Sequence, residues 1–137
     1  MTERPPQIRL TLPAIGESLP LIRQVIATLV AAQAIPPRRQ EQVMLAVATA
    51  AGDAVRHACR DALPPGEIFI EGRVRGRKLV ITVIEDGPGI TPLLGSGDVP
   101  GGLALIGACA DRLELGCGAG GGSSTRMSFC LAGSPRG

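Results

Sequence analysis

Three short stretches of this 137-residue chain combine residue types and spacings that could do chemistry. In "EDGPG", Glu85 to Gly89, two carboxylates stand directly after a strand-like run, and Gly87 and Gly89 let the backbone come close to a bound group. A carboxylate at a strand end can accept a hydrogen bond from an exocyclic amine such as that of adenine. An ordinary Asp-Gly-Pro-Gly turn would use the same residues. In "GGLALI", Gly101 and Gly102 open a helix whose first N–H groups suit a phosphate, although glycine is also common at helix starts. Neither stretch is a Walker-type GK[ST] loop or a GxGxxG fingerprint between strand and helix. The third stretch, "AVATAAGDAVRHA" from 46 to 58, reads as mid-helix yet holds Gly52 and Asp53 side by side. Interior Gly costs about 1 kcal/mol and Asp about 0.5 kcal/mol against Ala, so this pair needs a compensating role.

The elements that must position these residues follow from the apolar spacing. "QIRLTLPA", 7–14, alternates Ile8, Leu10 and Leu12 with polar neighbours, the period of a half-buried strand. Ser18 then stands where it can cap a helix carrying Leu21, Ile22, Val25, Ile26, Leu29 and Val30 on one stripe, and "IPP" at 35–37 ends it. A second helix is predicted from about Arg38 to Cys59. It places Val43, Met44, Val47, Ala50, Ala51, Ala54, Val55 and Ala58 on one face, and Thr49, Asp53, Arg56 and Arg60 on the other. "IFIEGRV" and "KLVITVI" form a hairpin closed around Gly76; the latter is β-branched on both faces and belongs in the sheet interior. A long Gly/Pro-rich loop occupies 85–102, helical spacing returns over 103–115, and "TRMSFCL" is a last strand. Helices gathered on one face of a mostly antiparallel sheet, an α+β two-layer sandwich, satisfy this order.

Composition narrows the function. The length suits one domain, 1–137, and with no Trp or Tyr and only Phe69 and Phe129 the core is built from Leu, Ile, Val and Ala. A formal charge of +2 is too small for binding nucleic acid by counterion release. "RVRGRK", 73–78, lacks interleaved aromatics for base stacking and reads as a hairpin tip. Cys59, Cys109, Cys117 and Cys130 form no CxxC pair, and the lone His57 has no second ligand at helical spacing, so the thiols are expected to be small core groups. Without a signal-like segment or an apolar run near 18 residues, a cytoplasmic protein with no membrane contact is expected.

Taken in order, "LAV..A...A.RHA", the strand into carboxylate-x-Gly-Pro-Gly, "GL.LI...AD..E" and a Gly-rich loop with Ser-Thr before a strand resemble the GHKL, or Bergerat-fold, ATPase superfamily. Within it the chain is most similar to the bacterial anti-sigma factor serine-protein kinases, from about Gln7 to Leu131. The resemblance implies a histidine kinase-like ATPase fold holding ATP and Mg²⁺ between sheet and helices, with residues 91–101 as an ATP lid. It also implies phosphorylation of a serine on an antagonist protein, capture of a sigma factor, and often a homodimer.

Carried over position by position, the resemblance meets departures. The family's helix reads Glu-Ala-x-x-Asn-Ala, with Glu as general base and Asn as magnesium ligand; here those positions are Thr49 and Asp53. Threonine cannot hold a proton near neutral pH, so a contribution of about 10² to 10⁴ in rate goes with the base. Asp53 keeps a hard oxygen suited to Mg²⁺ and, one turn from Thr49, is the candidate substitute base. Glu85 falls on the adenine-contacting Asp position. Of Gly-x-Gly-Leu, Pro100 replaces the first Gly and removes an N–H, while Gly102 and Leu103 remain. Gly87, Gly89 and Thr125 complete the implied ATP contacts; Arg56, His57 and Arg60 are read as solvated or packing groups. The expectation is an anti-sigma-like regulator with an ATP pocket, acting by partner binding with kinase activity weak or lost. Two alternatives stand beside it: an active protein-serine kinase, and a stand-alone histidine-kinase-type catalytic domain.

Overall fold

A computed structural model describes residues 8–58, 66–86, 101–117 and 122–131. Among them the order is β1 (Ile8–Pro13), α1 (Ser18–Ala31), α2 (Pro37–Ala58), β2 (Glu67–Arg75), β3 (Lys78–Glu85), α3 (Gly101–Cys109), β4 (Arg112–Cys117) and β5 (Ser123–Cys130). The strands form one sheet in the order β1-β2-β3-β5-β4, with every neighbouring pair antiparallel. The three described helices lie on one face, as the α+β sandwich required. Gly87, Gly89, Cys59, Arg60, Pro100 and residues 91–100 of the expected lid lie outside the described residues, as do the side chains of His57 and Cys117.

Helix α1 buries Ile22, Ile26, Leu29 and Val30, the i, i+4, i+7, i+8 stripe of an amphipathic helix. Its start corrects the expectation that Ser18 is the cap. Glu17 takes the N-cap place with helical backbone angles and no side-chain cap. Ser18 therefore falls inside the first turn, where its hydroxyl donates to the Pro13 carbonyl at 2.7 Å and ties the helix to the end of β1. Helix α2 starts with Pro37 in the first turn, where its missing N–H has no cost. It buries Val43, Ala46, Val47, Ala50, Ala51, Ala54 and Val55. The alanines let it lie close against β3, with α1 on one side and α3 on the other.

Strand β3 sits mid-sheet and buries Leu79, Val80, Ile81 and Val83, as its two-faced β-branching requires. It joins β2 through a two-residue turn between the paired Arg75 and Lys78, where Gly76 has φ +60. The helix predicted over 103–115 is corrected: α3 stops at Cys109, and Arg112–Cys117 is a strand paired with β5. Leu113 and Leu115 alternate with Arg112, Glu114 and Gly116, a period of two that the neighbouring helical run hides. The Asp111 N–H donates to the Ser128 carbonyl and starts the ladder. The sheet thus has five strands rather than four.

Arg39 locks α2 to the far end of this sheet. Its guanidinium donates to the carbonyls of Cys130 at 3.0 Å and Cys109 at 3.3 Å, and to Gln42 at 2.8 Å. It also pairs with Asp111 and lies 5.7 Å from the Phe129 ring centre. Asp111 in turn accepts the Cys130 N–H at 2.6 Å. Cys109 is buried, but Cys130 is exposed, which corrects its placement in the core: β5 ends there with the side chain on the uncovered face.

Candidate functional site

Because Arg39 fixes the first turns of α2 beside Cys130, and Cys130 pairs with Lys78 at the start of β3, the helix runs from that end of the sheet toward Glu85 at the other. Helix α3 lies against it in the opposite sense, since Cys109 meets Arg39 and Gly102 meets Asp53. The C-terminal half of α2, the first turn of α3 and the end of β3 are thereby directed to one end of the molecule.

Thr49 and Asp53 stand one turn apart on α2. The Thr49 hydroxyl donates to the Leu45 carbonyl at 2.7 Å, the back-bond available to a helical threonine. The Asp53 carboxylate, with a side chain only 15 % exposed, pairs with Arg56. The backbone of Gly102 rests directly on both: a Cβ there would overlap Asp53 Oδ2 and stand 3.0 Å from Thr49 Cγ2. Space, and not backbone angle, favours glycine here, because any side chain at 102 would have to push the Asp53 carboxylate aside. The first turn of α3 thus meets the Asp53 carboxylate, and a helix N-terminus favours an anion beside it.

At the strand end, Glu85 is 2 % exposed and faces the helices. Its Oε1 accepts the Ser123 hydroxyl at 2.9 Å. Gly122 is packed so tightly that a Cβ would run into the Glu85 carbonyl oxygen. The neighbouring carboxylate is engaged elsewhere, since Asp86 Oδ1 accepts the Glu67 N–H at 2.7 Å and closes the β2–β3 ladder from the exposed side. Of the two acids in "ED", Glu85 is the one turned into the sandwich. Thr125, paired with Val83, shares its face of the sheet, and Leu103 is half-buried on α3.

These groups fit an adenine nucleotide with a hard cation. Glu85 is a sequestered acceptor held in orientation by Ser123, and Gly102 lets the start of α3 come close to Asp53 and Thr49. Asp53, one of whose oxygens pairs with Arg56, would supply one carboxylate oxygen. No three His, Cys, Asp or Glu side chains gather into a metal cage among the described residues. Mg²⁺ suits such a setting, because it is commonly held by one or two carboxylates together with phosphate oxygens. The sequence reading missed Ser123, Gly122 and the Arg56 partner of Asp53. The first two sit beside a Gly-rich run whose low complexity carries no positional signal, and the i, i+3 spacing of Asp53 and Arg56 was legible.

Of the pair that needed a compensating role, Gly52 has none among the described residues. A Cβ at Gly52 would meet only Arg56 Nη1, at 3.8 Å, so no part of the described protein needs the space. A Gly52→Ala variant should therefore be more stable by about 0.5–1 kcal/mol through lower unfolded-state entropy and better helix propensity, measured by urea denaturation.

The comparisons with known proteins agree with this fold. The RsbU and RsbW domains of Rv1364c from Mycobacterium tuberculosis superpose with a TM-score of 0.73 at 19% identity, over 95% of this chain and 33% of that one. This chain thus spans about a third of that protein. The histidine kinase domain of the E. coli osmosensor EnvZ gives a TM-score of 0.50 at 20% identity, over 96% of this chain and 93% of that one. At such identities the likeness shows the fold. No curated protein matches the chain in sequence. No described helix is long and apolar enough to cross a membrane. The model of the histidine kinase-like ATPase domain matches residues 12–129, a span that contains every site residue named above, and the chain belongs to that family.

Proposed function

We propose that this protein is an anti-sigma-type regulatory domain that binds an adenine nucleotide and acts chiefly by holding a protein partner, with phosphotransfer weak or lost. The observation that carries the reading is Thr49: at the position of the family's general base stands a hydroxyl already committed to the Leu45 carbonyl, with nothing to receive a proton. Glu85 would accept the adenine amine, and the N–H groups of Gly102 and Leu103 would meet phosphate oxygens. Asp53 would hold Mg²⁺, and Thr125 would line the pocket beside Glu85. When bound, ATP supplies a transferable phosphoryl group. The protein's own part is to bind and orient it, and position 49 offers no base to activate an incoming hydroxyl. A sigma factor or its antagonist as partner is supported by the resemblance to anti-sigma kinases and by the likeness to the chain that includes an RsbW domain.

The test is calorimetric titration of ATP with and without Mg²⁺, on the protein and on an Asp53→Asn variant. Asp53 beside the phosphate site repels a naked triphosphate and favours a magnesium-bridged one. The unaltered protein should therefore bind only with Mg²⁺. The variant should bind metal-free ATP more tightly, by about threefold to tenfold, and lose the magnesium advantage. No binding under either condition would remove the pocket from the reading, and phosphotransfer to an antagonist serine at an ordinary kinase rate would remove the loss of activity. A second reading, an active serine kinase with Asp53 as base, is favoured by that carboxylate's place one turn from Thr49. Full phosphotransfer by an Asp53→Ala variant would exclude it.

A further inference from the structure

The face of the sheet turned away from the helices carries a feature that the nucleotide pocket does not use. Arg73, Arg75, Lys78, Arg112 and Arg126 surround a groove of about 360 Å³, with Glu114 as the one acid. Val80 and Ser128 form its floor. The register aligns Arg73, Val80, Ser128 and Arg112 in one row across β2, β3, β5 and β4. With strands about 4.8 Å apart, the two arginines bound a row roughly 14 Å wide.

Charge is concentrated here. The chain has 14 basic and 12 acidic residues, so with five basic and one acidic residue in the groove the remainder is nine to eleven. Arg73, Lys78, Arg112 and Arg126 have no ion-pair partner among the described residues. Like charges this close repel within a screening length, and the fold itself gains nothing from gathering them.

We propose that this groove binds an extended acidic segment of a partner protein. In an extended chain every second side chain points the same way, about 6.8 Å apart, so three alternate carboxylates span the row from Arg73 to Arg112. A second copy of this chain would bring one positive groove against another. A nucleic acid would present uniform phosphates to Glu114 and find no aromatic side chain in the groove on which to stack a base. Glu114 instead suits a segment in which one position is a cation or a backbone donor. The site lies on the opposite face from Glu85 and Thr125, so its occupancy does not rest on nucleotide binding.

The experiment is fluorescence anisotropy with the full chain and three labelled probes: a peptide of alternating Glu and Thr about ten residues long, its Gln/Thr counterpart, and duplex DNA. The Glu peptide should bind and the Gln peptide should not, with affinity falling several-fold between about 50 and about 200 mM salt. An Arg73→Ser/Arg112→Ser variant should lose at least about tenfold in affinity. Arg9→Ser, on the same face but paired with Glu71, should lose nothing. Unchanged thermal melting confirms that the double variant folds; should it not, the exposed Lys78→Ser change carries the same test with a smaller loss. Equal binding of the two peptides, preference for DNA, or self-association abolished by the Arg73→Ser/Arg112→Ser change would each overturn the proposal.

Discussion

A Thr49→Glu variant is expected to hydrolyse ATP about 100-fold faster than the unaltered protein in the presence of Mg²⁺, the low end of what a positioned general base contributes. Position 49 lies against the first turn of α3, where a Cβ at Gly102 would stand 3.0 Å from Thr49 Cγ2, so a longer side chain there projects along the edge of the proposed phosphate site. Glutamate is also a better helix former than threonine, and the change gives up only the back-bond to Leu45. Asp53 lies one turn on, and a second carboxylate at that spacing raises the proton affinity of one of the pair, which moves a carboxylate toward useful basicity at neutral pH. The control is Thr49→Gln, equal in length and unable to take a proton. If the Glu and Gln variants bind ATP alike and turn over alike, the missing base is not what limits this protein.

Removing Arg39 should have the largest effect on stability. Arg39→Ala deletes donors to two carbonyls, the Gln42 amide and a carboxylate, and leaves Asp111 with the Cys130 N–H as its one remaining partner among the described residues. Charge-assisted hydrogen bonds contribute about 1.5–3 kcal/mol each when shielded. Asp111 is half exposed, so screening reduces the sum, and a loss of about 2–3 kcal/mol is expected in urea denaturation. The pH profile gives an independent reading. Burial alone would raise the Asp111 carboxyl, but the hydrogen bond from Arg39, the Cys130 N–H and the arginine's charge outweigh it and hold the group below its ordinary 3.8. The native state therefore binds fewer protons there than the unfolded chain. This contribution is complete above the ordinary value and drains away as pH falls through 3.8 toward the native value. In Arg39→Ala that acid-side loss should flatten.

The sandwich was legible because its elements are written in periodicities that the core enforces. The Ile8, Leu10, Leu12 alternation, the alanine-rich face of α2 and the doubly apolar β3 all stand where their spacing requires. The 103–115 stretch was not legible, since Leu103, Ile106 and Leu113 can be read on one helical stripe. Only the unpaired edge of β5 decides that Leu113 and Leu115 join a strand. At the site, Thr49, Asp53, Glu85 and Gly102 could be named from motif order, but contacts of long sequence separation could not. Neither the Ser123 hydroxyl on Glu85 nor the reach of Arg39 to Cys109 and Cys130 leaves any local signature.

The borders of the sheet also shape how this protein can associate. Both outermost strands, β1 and β4, are six residues long. The first ends in Pro13, which has no N–H to offer, and the second interleaves Arg112 and Glu114 with its leucines and then reaches Gly116. Short, charged and proline-closed margins give an incoming strand little to zip onto. A sheet face left uncovered among the described residues therefore does not invite backbone-to-backbone fibre growth. Recognition is left to side chains, which can tell one partner from another, and not to peptide groups, which are the same in every chain.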